Sequence, residues 1–236
     1  MKFAVGSSLA VGIVIGAVAD HCLDRVAAVL RPQQPAAHLS VSAVGLNHVK
    51  SRSAFFQQSQ SEAAVVMLGD SITEYGGDWS ELLAMPALNR GIAYDTAEDM
   101  LLRLDEVIER KPRIVAVMVG VNDLRSGVPV DLVAARIEKI LTKLKAANVQ
   151  PVMQSTLLTA EQLGEPATNA AITLLNRSLS QLCTSQDVPF LNLNASLAPE
   201  GTLDAEMTFD GIHLTDAGYL RWRNALDPLL RHLLNS

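Results

Sequence analysis

The chain has 236 residues, 49% of them hydrophobic and 19% charged, with a formal net charge of -6. This length fits one domain of ordinary size plus an extension. No Lys/Arg run could neutralise a row of phosphates, and aromatic residues make up only 4%, so the composition argues against a nucleic acid partner. The two cysteines, Cys22 and Cys183, lack metal-type spacing, which favours two unpaired thiols over a disulfide.

The N-terminus is apolar and distinct from the rest of the chain. Met1-Lys2 precedes an uncharged stretch, Phe3–Ala19, that ends in the small-x-small sequence of a signal-peptidase site. The stretch is also just long enough, at about 17 residues, for a tilted membrane span. Residues 1–19 are therefore predicted to be a signal peptide or a membrane anchor, with a buried helix as the weaker alternative. Either main prediction implies export or membrane association through residues 3–19, with the rest of the protein outside the cytoplasm, in the periplasm or extracellular space.

Residues 20–61 are rich in Pro, Gln and Ser, which is typical of a linker or a loosely attached arm. Leu23–Leu30 and Val41–Lys50 are predicted to form short elements within it. A regular pattern starts at Glu62 and predicts one domain over residues 62–236.

Apolar runs and helical periodicity alternate through this domain. The predicted strands are Ala63–Gly69, Ala87–Arg90, Ile114–Gly120, Pro151–Ser155 and Pro189–Leu193. The predicted helices are Trp79–Leu83, Ala97–Arg110, Asp131–Ala147, Asn169–Gln186 and Asp216–Leu233. This alternation predicts an α/β fold, with a parallel sheet sandwiched between helices. Ligands bind such sheets at the carboxyl ends of the strands, where 69–71 and 120–123 are both expected.

Ser71 and His213 are the candidate catalytic pair. A serine hydroxyl becomes a good nucleophile when an imidazole can take its proton, and Asp210, one turn before His213, could fix the tautomer of that imidazole. Taken alone, Ser71 is equally well explained as a helix N-cap and His213 as a structural histidine. The segment Gly69–Thr73 lacks the second glycine of G-x-S-x-G, so a nucleophile turn of a different design is expected.

Asn122 and Gly91 are candidate donors to an oxyanion. An amide side chain at the mouth of a strand can stabilise developing negative charge, and a glycine can present its N–H to a ligand because no side chain blocks the approach. The alternatives are an Asx turn at Asn122 and an ordinary turn glycine at Gly91.

Four short blocks, in order, resemble those of the SGNH, or GDSL, hydrolases. They are Gly-Asp-Ser at 69–71, Gly91, Gly-x-Asn-Asp at 120–123 and Asp-x-x-His at 210–213. The resemblance implies the flavodoxin-like three-layer α/β/α sandwich of that family. It also implies Ser71 as nucleophile, His213 as base, Asp210 as orienter, and an oxyanion hole of the Ser71 N–H, the Gly91 N–H and the Asn122 side chain. The blocks look most similar to acetylhydrolases of the platelet-activating-factor type and to bacterial acetylesterases.

The resulting expectation is a serine esterase that cleaves small carboxylic esters, acetyl above all, from a carbohydrate or lipid through an acyl-enzyme, without a metal or organic cofactor. Alternatives are a lysophospholipase or thioesterase for longer chains, a non-catalytic binding domain, and a metal-dependent deacetylase using Asp70, Asp123, Asp210 and His213. Substrate-pocket candidates are Tyr75, Tyr94, Leu124 and Arg125, beside the loop Leu158–Thr168. The bulk of Tyr94 would favour short acyl groups. Arg125 would meet an anionic headgroup or form a surface ion pair.

Overall fold

The structure, a computed structural model, describes residues 43–59 and 61–236. The predictions for residues 1–19, for the helix Leu23–Leu30 and for Cys22 lie outside the described residues. No helix within the described part of the chain is long and apolar enough to cross a lipid bilayer.

Five parallel strands form one sheet in the order β2-β1-β3-β4-β5. They are β1 Val65–Gly69, β2 Ala87–Gly91, β3 Ile114–Met118, β4 Gln150–Gln154 and β5 Phe190–Leu191. Each overlaps its predicted range. Every residue of β1 and β3 is buried, which explains their uninterrupted apolar sequences. The predicted α/β fold with a parallel sheet is confirmed. Strands β2 and β3 pair with opposite edges of β1. The strand order therefore reverses beside β1, where ligands bind in such folds.

Ten helices are found in the described residues: α1 Ala43–Gln58, α2 Ser71–Glu74, α3 Trp79–Leu83, α4 Ala97–Leu102, α5 Leu104–Glu109, α6 Val121–Arg125, α7 Val130–Ala146, α8 Pro166–Gln186, α9 Asn194–Leu197 and α10 Asp216–Asn235. Two 3₁₀ turns lie at Glu161–Leu163 and Ala205–Met207. The short helices α2 and α6 start within three residues of the ends of β1 and β3. They therefore carry their side chains at the carboxyl edge of the sheet.

Helix α1 lies where the sequence predicts a linker, and it extends the short element predicted at Val41–Lys50. Its Phe56 is 3% exposed, and the guanidinium groups of Arg52 and Arg90 lie 4.9 and 4.4 Å from the Phe56 ring centroid. Arg52 Nε also donates to the Gly91 carbonyl at 2.6 Å. Docking against the β2 side of the sheet thus gives residues 43–58 a fixed helical structure that their weak amphipathicity does not predict.

The single helix predicted at Ala97–Arg110 is wrong, because the chain breaks at Arg103 into α4 and α5. Arg103 Nη2 donates to the carbonyls of Gly69 and Arg90 at 3.2 and 2.9 Å, and its Nε donates to Asp95 Oδ2 at 2.6 Å. The guanidinium therefore binds at the carboxyl ends of β1 and β2. The helix is interrupted at the residue that makes these contacts.

Candidate active site

The turn from β1 into α2 presents Ser71. Asp70 is the N-cap of α2, and its carboxylate accepts from the Ile72 N–H at 2.9 Å, so the capping role considered for Ser71 belongs to its neighbour. A Cβ on Gly69 would come within 1.9 Å of Thr73 Oγ1, which means that only glycine fits where β1 meets α2. Ser71 is the first residue of the helix, and its hydroxyl is left available for other partners.

That hydroxyl meets His213, 142 residues further along the chain. His213 Nε2 lies 2.8 Å from Ser71 Oγ, and His213 Nδ1 lies 2.6 Å from Asp210 Oδ2. An Nδ1–H that donates to Asp210 leaves Nε2 as the acceptor for the serine proton. The structure therefore brings Ser71, His213 and Asp210 into one hydrogen-bonded chain, as the sequence predicts.

The turn that carries His213 is tightly specified. Asp210 Oδ1 accepts from the Ile212 and His213 N–H groups at 2.9 and 2.8 Å. Gly211 has a φ of 94°, a left-handed conformation that favours glycine. Partial burial acts to raise the pKa of Asp210, but its hydrogen bonds from His213 and Ile212 outweigh burial and hold that pKa below its ordinary value. Asp210 is therefore an ionised acceptor at neutral pH.

Two aromatic side chains donate hydrogen bonds to backbone carbonyls of α2. The Tyr219 O–H donates to the Ile72 carbonyl at 2.7 Å, and the Trp79 indole N–H donates to the Thr73 carbonyl at 2.9 Å. Trp79 in turn packs edge-on against Trp222, with ring centroids 4.9 Å apart. Helix α2, which carries Ser71, is thus tied to α3 and α10.

Asn122 lies on α6, and its Nδ2 donates to the Asp95 carbonyl at 3.0 Å. An amide nitrogen carries two donors, so this contact orients the side chain and leaves one N–H for a ligand. The Ser71 N–H, at the start of α2, donates to no described residue.

The Gly91 N–H is not free to bind an oxyanion, although the sequence predicts this role. Its N–H donates to Asn89 Oδ1 at 2.9 Å, and a Cβ there would come within 2.2 Å of the Glu74 backbone nitrogen. The close approach of α2 therefore requires glycine at position 91. The Gly91 N–H, however, is already hydrogen-bonded to Asn89 and is not free for a ligand. Three residues on, Tyr94 has a φ of 74°, and its N–H donates to no residue in the described part of the chain.

The GDSL-like Lipase/Acylhydrolase family model matches residues 67–221, a range that includes Ser71, Asn122, Asp210 and His213. The chain belongs to this family. Its members are hydrolases of the esterase and lipase class, as the sequence resemblance implies.

Two curated relatives match most of this chain. Platelet-activating factor acetylhydrolase IB subunit alpha2 of Rattus norvegicus is 30% identical over 184 residues, which cover 73% of this chain and 78% of that protein. N-acylneuraminate cytidylyltransferase of Streptococcus agalactiae serotype V is 27% identical over 171 residues, which cover 70% of this chain. The match covers only 40% of that longer relative.

A GDSL-like lipase of Bacteroides thetaiotaomicron superposes with a TM-score of 0.67 at 22% identity, covering 80% of this chain and 97% of that one. At this identity, the likeness concerns the fold. It agrees with the three-layer α/β/α arrangement expected of the family.

Aromatic side chains surround the histidine of this GDSL-like hydrolase. The Tyr75 ring lies 4.8 Å from the His213 ring, and Phe209 stacks on His213 at 5.8 Å. Tyr75, Tyr94 and Phe209 are all at least half exposed. Burial raises the pKa of Tyr75, and the nearby Glu74, Tyr94 and Asp210 add to the shift. Phe209 was missed by sequence reasoning, although its place directly before Asp210 is a signal that could have found it.

The other two pocket candidates, Leu124 and Arg125, make contacts within the protein. Leu124 is only 7% exposed and packs in the hydrophobic core. Arg125 makes a two-pronged ion pair with Glu165, whose oxygens lie 2.8 and 3.0 Å from Nη2 and Nε. This is the surface ion pair considered for Arg125. It joins α6 to the loop Leu158–Thr168.

Three buried carboxyls lie near the edge of the sheet. Burial raises the pKa of Asp70 to about 7 and those of Asp95 and Asp123 to about 6. Asp123 Oδ2 accepts from the Ala97 N–H at 2.9 Å, as Asp70 does from α2. No group of three or more His, Cys, Asp or Glu side chains in residues 43–59 and 61–236 is arranged to hold a metal ion. Cys183 is a buried free thiol, and burial raises its pKa to about 11.

Proposed function

We propose that this GDSL-like hydrolase is a serine esterase that cleaves small carboxylic esters, acetyl esters above all, from a carbohydrate or lipid. One observation carries the proposal: Asp210, His213 and Ser71 form a continuous hydrogen-bonded chain, with 2.6 and 2.8 Å between the partner atoms. A nucleophile, a base and an orienter in this geometry are the parts that ester hydrolysis through an acyl-enzyme needs.

In the proposed mechanism, Ser71 Oγ attacks the ester carbonyl carbon while His213 Nε2 takes the serine proton. The bond to the leaving alcohol then breaks, and His213 returns the proton to the alcohol oxygen. Water enters, loses a proton to His213 and attacks the acyl-serine carbonyl carbon. The bond to Ser71 Oγ then breaks, His213 returns the proton to Ser71 Oγ, and the acid is released. Asp210 stabilises the imidazolium throughout without taking the proton.

The proposed oxyanion hole differs in one member from the one predicted from sequence. The Ser71 N–H and the second Asn122 Nδ2 hydrogen remain as donors. The Gly91 N–H is already bonded to Asn89, so the third donor we propose is the Tyr94 N–H. Tyr94 directly precedes Asp95, whose carbonyl orients Asn122.

The preference for a short acyl group is supported by the aromatic side chains of Tyr75 and Phe209 beside His213. Tyr94 lies close enough to Tyr75 to affect its pKa. Tyr75 and Phe209 contact the His213 ring itself, which reduces the room for a long chain. The rat relative is an acetylhydrolase by name. A cavity lined by Glu161, Pro199 and Leu203, among others, does not include Ser71 or His213.

The experiment is an acyl-chain-length series of p-nitrophenyl esters, from acetyl to decanoyl, with Ser71→Ala as the blank. We expect the highest kcat/KM with acetyl and none above background in Ser71→Ala. Activity retained by Ser71→Ala would remove the assignment, and a rate that rises toward decanoyl would favour the lysophospholipase or thioesterase alternative. Failure of a fluorophosphonate probe to label Ser71 would support a non-catalytic domain.

We also propose that the enzyme acts outside the cytoplasm. Support comes from the apolar stretch Phe3–Ala19 alone. N-terminal sequencing of the protein from fractionated cells tests this: a new N-terminus after Ala19 indicates a cleaved signal, and an intact Met1 in the membrane fraction indicates an anchor. Full-length protein in the cytosolic fraction contradicts the proposal.

A further inference from the structure

Glu74 joins three parts of the molecule through one carboxylate. It is the last residue of α2, three positions after Ser71, and its side chain is 9% exposed. Its Oε2 accepts from the Ala93 N–H at 2.7 Å, while His48 Nε2 and Arg52 Nε of α1 lie 2.9 and 3.3 Å from its Oε1. The carboxylate therefore links α1, the nucleophile helix and the loop that follows β2.

Arg52 binds the same region at a second point. Its Nε donates to the Gly91 carbonyl at 2.6 Å and its Nη2 to Asn89 Oδ1 at 3.3 Å. Asn89 Oδ1 also accepts from the Gly91 N–H, and Asn89 Nδ2 donates to the Glu74 carbonyl, each at 2.9 Å. The backbone at Gly91, where β2 becomes the loop, is thus held on both its N–H and its carbonyl.

Beyond this point lie the groups proposed to bind the oxyanion. Ala93, pinned by Glu74, is followed by Tyr94, whose N–H makes no hydrogen bond to a described residue, and then by Asp95, whose carbonyl orients Asn122 Nδ2. The Glu74 contact restrains the Ile92–Ala93 peptide plane, which directly precedes the plane that carries the Tyr94 N–H. Oxyanion donors act only within a few tenths of an ångström of the productive position.

We infer that Arg52 and His48 of α1, acting through Glu74 and the Gly91 backbone, are positioning residues for the oxyanion donors. Helix α1, which precedes the domain predicted over residues 62–236, would then contribute to the catalytic activity of that domain. The inference rests on the proposed function, since it concerns how the same site stabilises its transition state. A merely structural contact would instead anchor α1 and affect stability alone.

The test is steady-state hydrolysis of p-nitrophenyl acetate by the full chain carrying Arg52→Ala. We expect kcat to fall about tenfold with KM within about twofold, because an interaction made in the transition state is lost. The pH midpoint of kcat/KM should stay at its wild-type value, since the His213–Asp210 pair is not touched. Arg52→Lys, which keeps the charge opposite Glu74, should recover part of the loss.

Lys143→Ala is the matched control, because Lys143 also makes an ion pair across two helices, 2.8 Å from Asp105, with both side chains exposed. It should leave kcat and KM unchanged. If Arg52→Ala is too unstable to assay, His48→Ala removes one contact to Glu74 and leaves Arg52 in place, with an expected loss of about two- to threefold.

A double-mutant cycle with Asn122→Ala identifies the route of the effect. If Arg52 acts through the oxyanion donors, its replacement should cost clearly less in the Asn122→Ala background than in the wild type. Equal losses in the two backgrounds would overturn the inference. So would a kcat loss in Arg52→Ala that vanishes when the assay is run well below the melting temperature of the variant.

Different results would contradict the proposed function and the inference about α1. Activity in Ser71→Ala removes the proposed function, and the inference with it. An inactive Ser71→Ala alongside wild-type kcat in Arg52→Ala and His48→Ala removes the inference alone.

Discussion

Tyr94 adopts a backbone conformation that a bulky residue rarely takes. Its φ of 74° costs on the order of 1 kcal/mol for a residue with a Cβ. The other non-glycine residues with positive φ, such as Ala84 and Asp187, lie near helix C-termini, where this conformation ends a helix. At Tyr94 no helix ends, and the strained backbone is held on either side by the contacts of Glu74 with the Ala93 N–H and of Asn122 with the Asp95 carbonyl.

Tyr94→Gly tests both the strain and the acyl-group limit. Glycine relieves the positive φ but adds entropy to the unfolded chain, so we expect the free energy of unfolding to stay within about 1 kcal/mol of wild type. Removing the phenol should raise the ratio of butanoyl to acetyl ester turnover several-fold. Tyr94→Phe, which keeps the ring, should retain the wild-type ratio; a ratio equally unchanged in the glycine variant would mean that the ring does not limit the acyl group.

Asp210 and His213 are expected to contribute unequally. His213→Ala removes the proton acceptor, whereas Asp210→Asn leaves an imidazole that is less well oriented. We expect kcat/KM to fall by about 10³–10⁴ in Asp210→Asn and by a larger factor in His213→Ala. Kinetics with p-nitrophenyl acetate measure both, and equal losses would contradict this division of roles.

Helix α2 cannot be stable by itself, because it has only four residues and helix nucleation is unfavourable. Its structure comes from the Asp70 cap at one end and from the Tyr219 and Trp79 side chains, which donate to the Ile72 and Thr73 carbonyls. Burial of Tyr219 raises the pKa of its phenol, so the O–H remains protonated as a donor. The position of Ser71 is thus set by neighbouring elements rather than by helix propensity.

Tyr219→Phe should therefore affect both stability and activity. The buried Ile72 carbonyl would lose its donor, which costs about 1–2 kcal/mol in the free energy of unfolding. Urea unfolding measures this, and kcat should fall because α2 is less constrained. Tyr75→Phe is the control for stability, since the Tyr75 side chain is half exposed and its hydroxyl has no hydrogen-bond partner among the described residues. Equal unfolding midpoints for the two variants would contradict the role assigned to Tyr219.

The strands and the hydrogen-bonded series of Ser71, His213 and Asp210 could be predicted from sequence, each for a physical reason. Strands such as β1 and β3 are buried on both faces, which leaves continuous valine-rich runs. Ser71 and the turn 210–213 lie in short local motifs whose residue types follow from their chemistry. By contrast, the break at Arg103, the docking of α1 and the bonded Gly91 N–H depend on partners distant in sequence. No local pattern encodes such partners.

At the scale of the whole molecule, the carboxyl edge of the sheet gathers Asp70, Asp95 and Asp123. Burial is the main cause that raises their pKa values, to about 7, 6 and 6, against hydrogen bonds and the Arg103 and Arg136 charges that act to lower them. Asp70 caps α2, Asp95 binds Arg103, and Asp123 accepts from the Ala97 N–H at the start of α4. The protonation of these carboxyls therefore affects the stability of elements at the carboxyl edge of the sheet.

The sign of the resulting pH dependence follows from linkage. Between the ordinary carboxyl pKa of 3.8 and about 7, the folded protein binds these protons more tightly than the unfolded chain does. The contribution of the three groups to stability is therefore fully present below pH 3.8 and is lost as the pH rises through about 6 to 7. We expect the urea midpoint to fall from pH 5 to pH 8.

Asp70→Asn isolates the largest of these contributions. The amide keeps an oxygen to accept from the Ile72 N–H but carries no charge into the buried site. We expect its advantage in stability over wild type to grow by on the order of 2 kcal/mol between pH 5 and pH 8. Asp70 should release its proton between these two pH values, so Asp70→Asn should lose less stability over this range than the wild type does. If the urea midpoint of the variant falls as steeply as that of the wild type, Asp70 is already ionised throughout this range.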